Sequence, residues 1–465
     1  MWTFTGRVCR VCGLVWCVVA GPVVSEDEKM HWKAGTAKTI ITPEKPVWLA
    51  GYGVKRVPEG KLHDLWMKVL VLEDPQGHRA VLITTDHQGM PRVMYERIIR
   101  MLQDRFGLDR ASVMLTFSHN HCGPRLLDDL WDYYPIEPEQ EALVAEYTDR
   151  MVTQTADTVA LALAAVAPAR LAMGEGTTTF AVNRRTNPEA DVPAALAGGR
   201  PLNGPVDHAV PVLVVRGERD RLVALLFGYA CHPTTLNFTR WCGDYPGFAQ
   251  LNLEKAHPGT TAMFFTGCGG DQNPIPRRSV TLCEKYGRML SDAVEKVLSQ
   301  PLKPIGPGLR TAFEFVDLPY LKNVTREELQ AGLGSSNPIY VRWAKRMLKK
   351  LEAGETFAGS YRYPVQVWKL GDELLLIALG GEAVVDYSLR FKKEFGPGTW
   401  VCGYANDLVA YIPSRRVWEE GGYEGGSALF EYGHPALRWS GQVEEQIARS
   451  VHRLVRHATS GPAAR

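Results

Sequence analysis

Beyond its first 25 positions the sequence has no apolar run long enough to cross a bilayer, no block of like charge, no internal repeat and no low-complexity segment. These absences exclude a multispanning membrane protein, a solenoid and a long disordered tail. Basic and acidic residues nearly cancel, 53 against 51, and are interspersed, so nucleic acid is not an expected partner. Three signatures of hydrolytic chemistry are also missing: HExxH, the GxSxG elbow and the P-loop. Six cysteines lie beyond residue 25 (Cys122, Cys231, Cys242, Cys268, Cys283 and Cys402), irregularly spaced and without a CxxC pair, which gives no support to a zinc ribbon. What is present is a chain of 465 residues with 45% hydrophobic content, enough to bury a large core in one big domain or two.

The first 25 residues read as a secretory signal peptide. Arg7 and Arg10 precede an apolar run over residues 11–20, and Gly21, Pro22 and Ser25 supply the small-residue exit. The run is too short for a comfortable membrane span. A secreted or periplasmic protein is expected, with residues 26–465 as the mature part, in which some cysteines can oxidise.

Hydrophobic periodicity then gives the elements. Strands are expected over residues 67–72 and 80–85, joined by the turn Pro75-Gln76-Gly77, with a helix over 94–106 and a strand ending near His119. A long Ala-rich helix covers 139–166. A second set follows: a hairpin over 210–216 and 222–229, a helix over 246–256 with Asp244 at its start, a strand over 262–266 and a helix over 284–298. Farther on, helices are expected over 326–333, 340–351, 383–395 and 442–457, with a hairpin over 365–370 and 373–379 and a last strand over 400–404. This alternation predicts an α/β fold with mixed β-sheets flanked by helices.

The chemistry centres on His119 and His121 in TFSHNHCGP, residues 116–124. On an extended segment, positions i and i+2 share a face, so both imidazoles can look into one space. His232, in ACHP, likewise follows an apolar strand, and Glu382 follows the strand over 373–379. Three strands thus end at potential ligands, and in open α/β sheets sites form beyond the carboxyl ends of strands. Two histidines and a carboxylate can hold zinc and leave a position open for water. The glycine-rich GCGGDQNP, residues 267–274, either aims amides at an oxyanion or makes a tight turn. From pattern alone, a metallohydrolase, a hydrogen-bonded polar core and a metal-free binding protein all fit.

Several motifs in order carry a resemblance: AGTAKTIITP, SHNHCGP, AVNRR, ACHPTT, GDYPG, GGDQNP, the Gly-Glu at 381–382 and YANDLVAYIPSRRVWEEGGYEGGS. Over residues 31 to 460 the chain resembles the N-terminal catalytic domain of the neutral/alkaline, non-lysosomal ceramidases. The resemblance implies a single large catalytic domain that hydrolyses the C–N bond of an N-acyl lipid amide with Zn²⁺. It assigns His119, His232, Glu382 and Tyr411 as metal ligands, His121 as the substrate-facing proton carrier, and Arg184 and Tyr423 as partners of the substrate or its oxyanion. Asp271 is the expected proton acceptor. A small-molecule or lipid amide is the implied partner, with at most peripheral contact to a membrane surface. The chain departs from the family twice. The family's loop serine is absent from GGDQNP, where Gln272 and Asn273 stand, and the sequence ends at Arg465 without room for the family's C-terminal immunoglobulin-like domain. Three alternatives follow: a non-catalytic lipid- or glycan-binding protein on the same scaffold, a hydrolase of another small amide or ester, and a thiol hydrolase using Cys122 beside His121.

Overall fold

The structure, a computed structural model, describes residues 1–3 and 31–459. The expected signal peptide lies outside the described residues, apart from its first three. Two sheets stacked face to face form the centre, with helices on both outer faces. The larger sheet has nine strands. Its path starts at Val113–Phe117 and runs through Arg79–Thr85, Trp66–Glu73, Trp32–Ile40, Ala167–Thr177, Ala209–Arg216 and Leu222–Tyr229 to Thr261–Thr266. Neighbours are antiparallel except at the two ends, where Val113–Phe117 and Thr261–Thr266 each join in parallel after a helical crossover. The sheet curls until these two edges meet: Thr266 Oγ1 donates to the carbonyl of Ser118 at 2.9 Å. The smaller sheet runs Leu309–Pro319, Ser360–Leu370, Leu374–Leu379 and Thr399–Cys402.

Alternation along the strands explains the layering. In the strand Trp66–Glu73, Met67, Val69 and Val71 face the helices Arg92–Phe106, Pro138–Ala164, Asp244–Ala256 and Val280–Leu298. Leu70 and Leu72 face the other way, into a core shared with Trp368, Leu370, Leu376 and Trp400 of the smaller sheet. The opposite face of that sheet, including Val365, Val367 and Ile377, packs on the helices Asp386–Phe395 and Val443–Thr459. Strands covered on both faces read as continuous apolar runs, which is why these segments were legible as strands. Two long strands were not expected, Ala167–Thr177 and Leu309–Pro319. The expected connection over residues 301–308 also contains a short strand, Lys303–Pro304, on Ala167–Thr177. No helix among the described residues is long and apolar enough to cross a membrane.

Candidate metal centre

His119 lies two residues past Val113–Phe117, and His232 three past Leu222–Tyr229. Glu382 opens a two-residue strand that pairs in parallel with Tyr411–Ile412, so Glu382 and Tyr411 stand side by side in register. The larger sheet therefore contributes the imidazoles, and the chain that leaves the smaller sheet contributes the carboxylate and phenol. His119 adopts a left-handed backbone (φ 60°), a conformation that a residue with a Cβ adopts only when its surroundings require it.

Each histidine is oriented from behind. Nδ1 of His119 donates to the carbonyl of Gln88 at 2.6 Å, and Nδ1 of His232 to that of Gly269 at 2.6 Å. A carbonyl only accepts, so both Nδ1 atoms carry hydrogen and both Nε2 atoms present lone pairs. Burial pushes His232 down to about 4, which keeps its ring neutral. The two Nε2 atoms face Oε2 of Glu382 at 3.2 and 2.8 Å. The other oxygen, Oε1, accepts a short hydrogen bond from the Tyr432 hydroxyl. Three buried lone-pair atoms, all within 4.8 Å of one another, thus converge with no donor among them. That arrangement is repulsive unless a cation sits inside it. The donor set fits zinc: two imidazole nitrogens and a carboxylate, with the Tyr411 hydroxyl 3.4 Å from His232 Nε2.

His121 falls outside that group. Its Nε2 is 3.5 Å from His119 Nε2, its carbonyl accepts from Arg56 at 2.7 Å, and its ring lies edge-on to Tyr52 at 4.7 Å. Burial above all pushes it well below the ordinary imidazole range, so it is neutral. Gly51 makes its space: at φ 85° a Cβ there would stand 2.4 Å from His121 Nδ1. The loop over residues 51–53 is therefore approached by a side chain of the protein itself.

Arg184 lies beside Tyr411. It donates to the Tyr411 hydroxyl at 3.1 Å, to Gly270 O at 2.9 Å, to Glu424 Oε1 at 2.8 Å and to Asn273 Oδ1 at 3.3 Å. Tyr423 packs on Tyr411 with ring centroids 5.1 Å apart, is 40% exposed, and donates to Glu431 at 2.6 Å. It therefore stands at the mouth of the site.

Asp271 differs from expectation. It is fully buried, with Oδ1 accepting from Val385 N at 2.9 Å and Oδ2 from Asn183 Nδ2 at 3.0 Å, so both oxygens fasten backbone segments together. A carboxylate so engaged is not free to accept a proton from water. Of the two readings of the glycine-rich loop, these bonds favour the turn: the amides of Gly267, Gly270 and Gln272 are donated to carbonyls of Tyr229, Ala383 and Gly269. Gly270 is needed because a Cβ would meet Glu382 O at 2.5 Å. The loop is a close-packed backbone joint that presents the Gly269 carbonyl to His232. Cys122 is buried in the helix-side core, and burial first of all holds its thiol well above the ordinary range, which counts against the thiol-hydrolase alternative. All six cysteines among the described residues are buried and form no disulfide.

Tyr404 and Tyr432 were missed. Tyr404 is fully buried, its ring 4.7 Å from that of His119 and its hydroxyl 3.5 Å from His232. Nothing in their local sequence distinguishes them from core tyrosines.

A buried two-histidine, one-carboxylate centre on stacked sheets defines a metallohydrolase-like architecture. Residues 32–316 match the family described as neutral/alkaline non-lysosomal ceramidase, N-terminal, and the chain belongs to that family of hydrolases. It is 24% identical over 467 aligned residues to the neutral ceramidase of Mycobacterium tuberculosis, covering 82% of this chain and 71% of that protein. A neutral ceramidase of Drosophila melanogaster is 23% identical over 236 residues, which is 49% of this chain and 32% of that protein. The crystal structure of neutral ceramidase from Pseudomonas aeruginosa has the same fold, with TM-score 0.67 and 18% identity over 92% of this chain and 75% of that one. A ceramidase complexed with C2 matches equally, with TM-score 0.67.

Proposed function

We propose that the chain is a zinc-dependent hydrolase of C–N amide bonds, releasing a carboxylic acid and an amine from an N-acyl lipid of the ceramide type. The observation that carries this reading is the convergence of His119 Nε2, His232 Nε2 and Glu382 Oε2 with their Nδ1 hydrogens turned away. His119, His232, Glu382 and Tyr411 would hold the ion, and zinc supplies a Lewis acid that polarises the carbonyl and acidifies water. Arg184 keeps the Tyr411 oxygen turned toward the ion, and its fixed charge favours the oxyanion that develops nearby. His121, neutral and on the substrate side, carries a proton to the departing nitrogen. Tyr423 donates to the substrate at the mouth once its hydroxyl leaves Glu431. Asp271 positions strands and takes no part in proton transfer. Asn273, in the loop where the resembled family has a serine, offers no nucleophile, so water is the attacking group.

A second reading concerns substrate size. The cleft beside Arg184 and Tyr423, about 540 Å³, is walled by Arg185, Arg277, Glu189, Glu420 and Glu424. Charged walls suit a smaller, polar amide better than two alkyl chains. Metal analysis of the purified protein, with release of amine from long-chain and short-chain N-acyl amides with and without chelator, tests both. Stoichiometric zinc and chelator-sensitive release are expected, and a protein that holds no zinc would refute the assignment.

A further inference from the structure

Glu431 is an acid at the mouth of the site that no basic residue partners. The other acids there are matched. Glu424 pairs with Arg184 and Arg185 at 2.8 and 2.6 Å, Glu420 with Arg185 at 3.0 Å, Glu189 with Arg277 at 2.6 Å, and Asp132 with Arg346. Glu431 is half-buried, yet among the described residues it forms no ion pair. Its Oε2 accepts from the Tyr423 hydroxyl at 2.6 Å. Its Oε1 takes no hydrogen bond from any described residue and is not among the sealed polar atoms, so it is open to solvent at the mouth. Burial above all raises the carboxyl to about 7, so its negative charge stands there at a cost that a cation removes.

Direct contacts place it beside the metal centre. Tyr423, its hydrogen-bond partner, packs on the ring of Tyr411 at 5.1 Å, and the next residue, Tyr432, donates to Glu382. Phe430, just before it, packs on Tyr340 and Trp343 of the helix Pro338–Glu352, with ring centroids 5.0 and 5.9 Å apart. That helix borders the loop beside His121: a Cβ on Gly53 would meet Ile339 Cδ1 at 2.9 Å and Tyr133 Cζ at 3.2 Å. The Tyr133 hydroxyl in turn reaches that of Tyr423. Glu431 thus shares the side of the mouth that carries Tyr133, Gly53 and His121, whereas Arg184 is fastened to Gly270 and Asn273 of the glycine-rich loop.

We propose that Glu431 binds a cationic group on the amine half of the substrate, so that amides of diamines are preferred over amides of uncharged amino alcohols, an inference that rests on the amide-hydrolase reading above. On that reading the nitrogen departs on the side of His121, and whatever the amine carries beyond it passes Glu431 and Tyr423. A carboxylate beside two tyrosines suits an ammonium, both by charge and by the aromatic rings. The missing basic partner of Glu431 then arrives with the substrate. A cation there also competes with the Tyr423 hydroxyl for the carboxylate, which frees that hydroxyl for the substrate. The charged walls of the neighbouring cleft favour a polar substrate as well.

The test is calorimetry on the zinc-loaded protein with terminal diaminobutane and diaminohexane, too long to chelate zinc well, against the amino alcohols of the same length. These are amine products, so no turnover intervenes. The better-fitting diamine is expected to bind about 10-fold or more tightly than its amino alcohol. Glu431→Gln is expected to bind the two alike, with wild-type zinc content and Tm. The N-dodecanoyl amides of the same amines should show the same preference in kcat/KM, lost in Glu431→Gln. Equal affinity for both kinds of amine in the wild type would overturn the proposal without recourse to a variant, as would a preference that survives in Glu431→Gln. A diamine preference that depends on Glu431, with none of the amides cleaved, would leave the cation site standing and bring down the amide-hydrolase reading instead.

Discussion

At the residue scale, the two histidines of the SHNHCGP stretch have different tasks. His119 offers a lone pair to the cluster, whereas His121 is a neutral ring held against Gly51 and Tyr52. His119→Ala and His232→Ala should each lose zinc, while His121→Ala keeps it and loses activity by about 10²-fold or more; metal content against kcat separates the two. Arg184→Ala should lower kcat by a similar factor, on the order of 10²-fold, because a fixed charge beside the developing oxyanion is lost. Another titration lies away from the site. His434 is buried, with Nδ1 accepting from Tyr320 at 2.7 Å and Nε2 donating to Val409 O at 2.8 Å. Burial, against the hydrogen bond to Val409, lowers it to about 4 from an ordinary 6.5. Between those values the unfolded chain binds a proton that the folded chain refuses, so the stability this group contributes is present above about pH 6.5 and is lost as pH falls toward 4. Relative to His434→Gln, the wild type should lose about 1.4 kcal/mol more per pH unit in that window, read by denaturant titration.

At the element scale, the loop over residues 125–134 depends on the helix Pro338–Glu352, whose Arg342 and Arg346 grip Asp132 and Tyr133. Arg346→Ala leaves the buried Asp132 without its partner and should release this loop: hydrogen exchange should quicken over 124–137 and kcat should fall while zinc stays bound. The same scale shows what the sequence could reveal. Segments such as residues 222–229 and 374–379 are buried on both faces, so their apolar runs announced strands, and the ligands at their ends followed. Ala167–Thr177 and Leu309–Pro319 were illegible because only three of the eleven positions in each are buried, so neither forms a continuous apolar run. Asp271 was assigned to proton transfer because its sequence position beside three glycines resembles a reactive loop. Only the fold shows Asn183 and the Val385 amide saturating it. Tyr432 reaches the site through tertiary folding alone, with no local motif to mark it.

At the scale of the whole molecule, the proposed metal position draws on both sheets: His119 and His232 come from the larger, Glu382 and Tyr411 from the chain leaving the smaller. An ion there ties the two together. At a free concentration 100 times its Kd it would add about 2.7 kcal/mol to the native state, so a chelator should lower Tm by roughly 2–4 °C or more for a chain of this size. An unchanged Tm on zinc removal would refute that coupling. The distances along the chain between these donors carry a further consequence, for biosynthesis. Residues 119, 232, 382 and 411 share no local segment, so no partly made chain holds a complete site, and the ion cannot template early folding as it does in a zinc finger. Zinc uptake would come only after the second sheet has docked on the first. A bound metal would then certify that a given molecule has finished folding, and metal-free chains would mark those that have not.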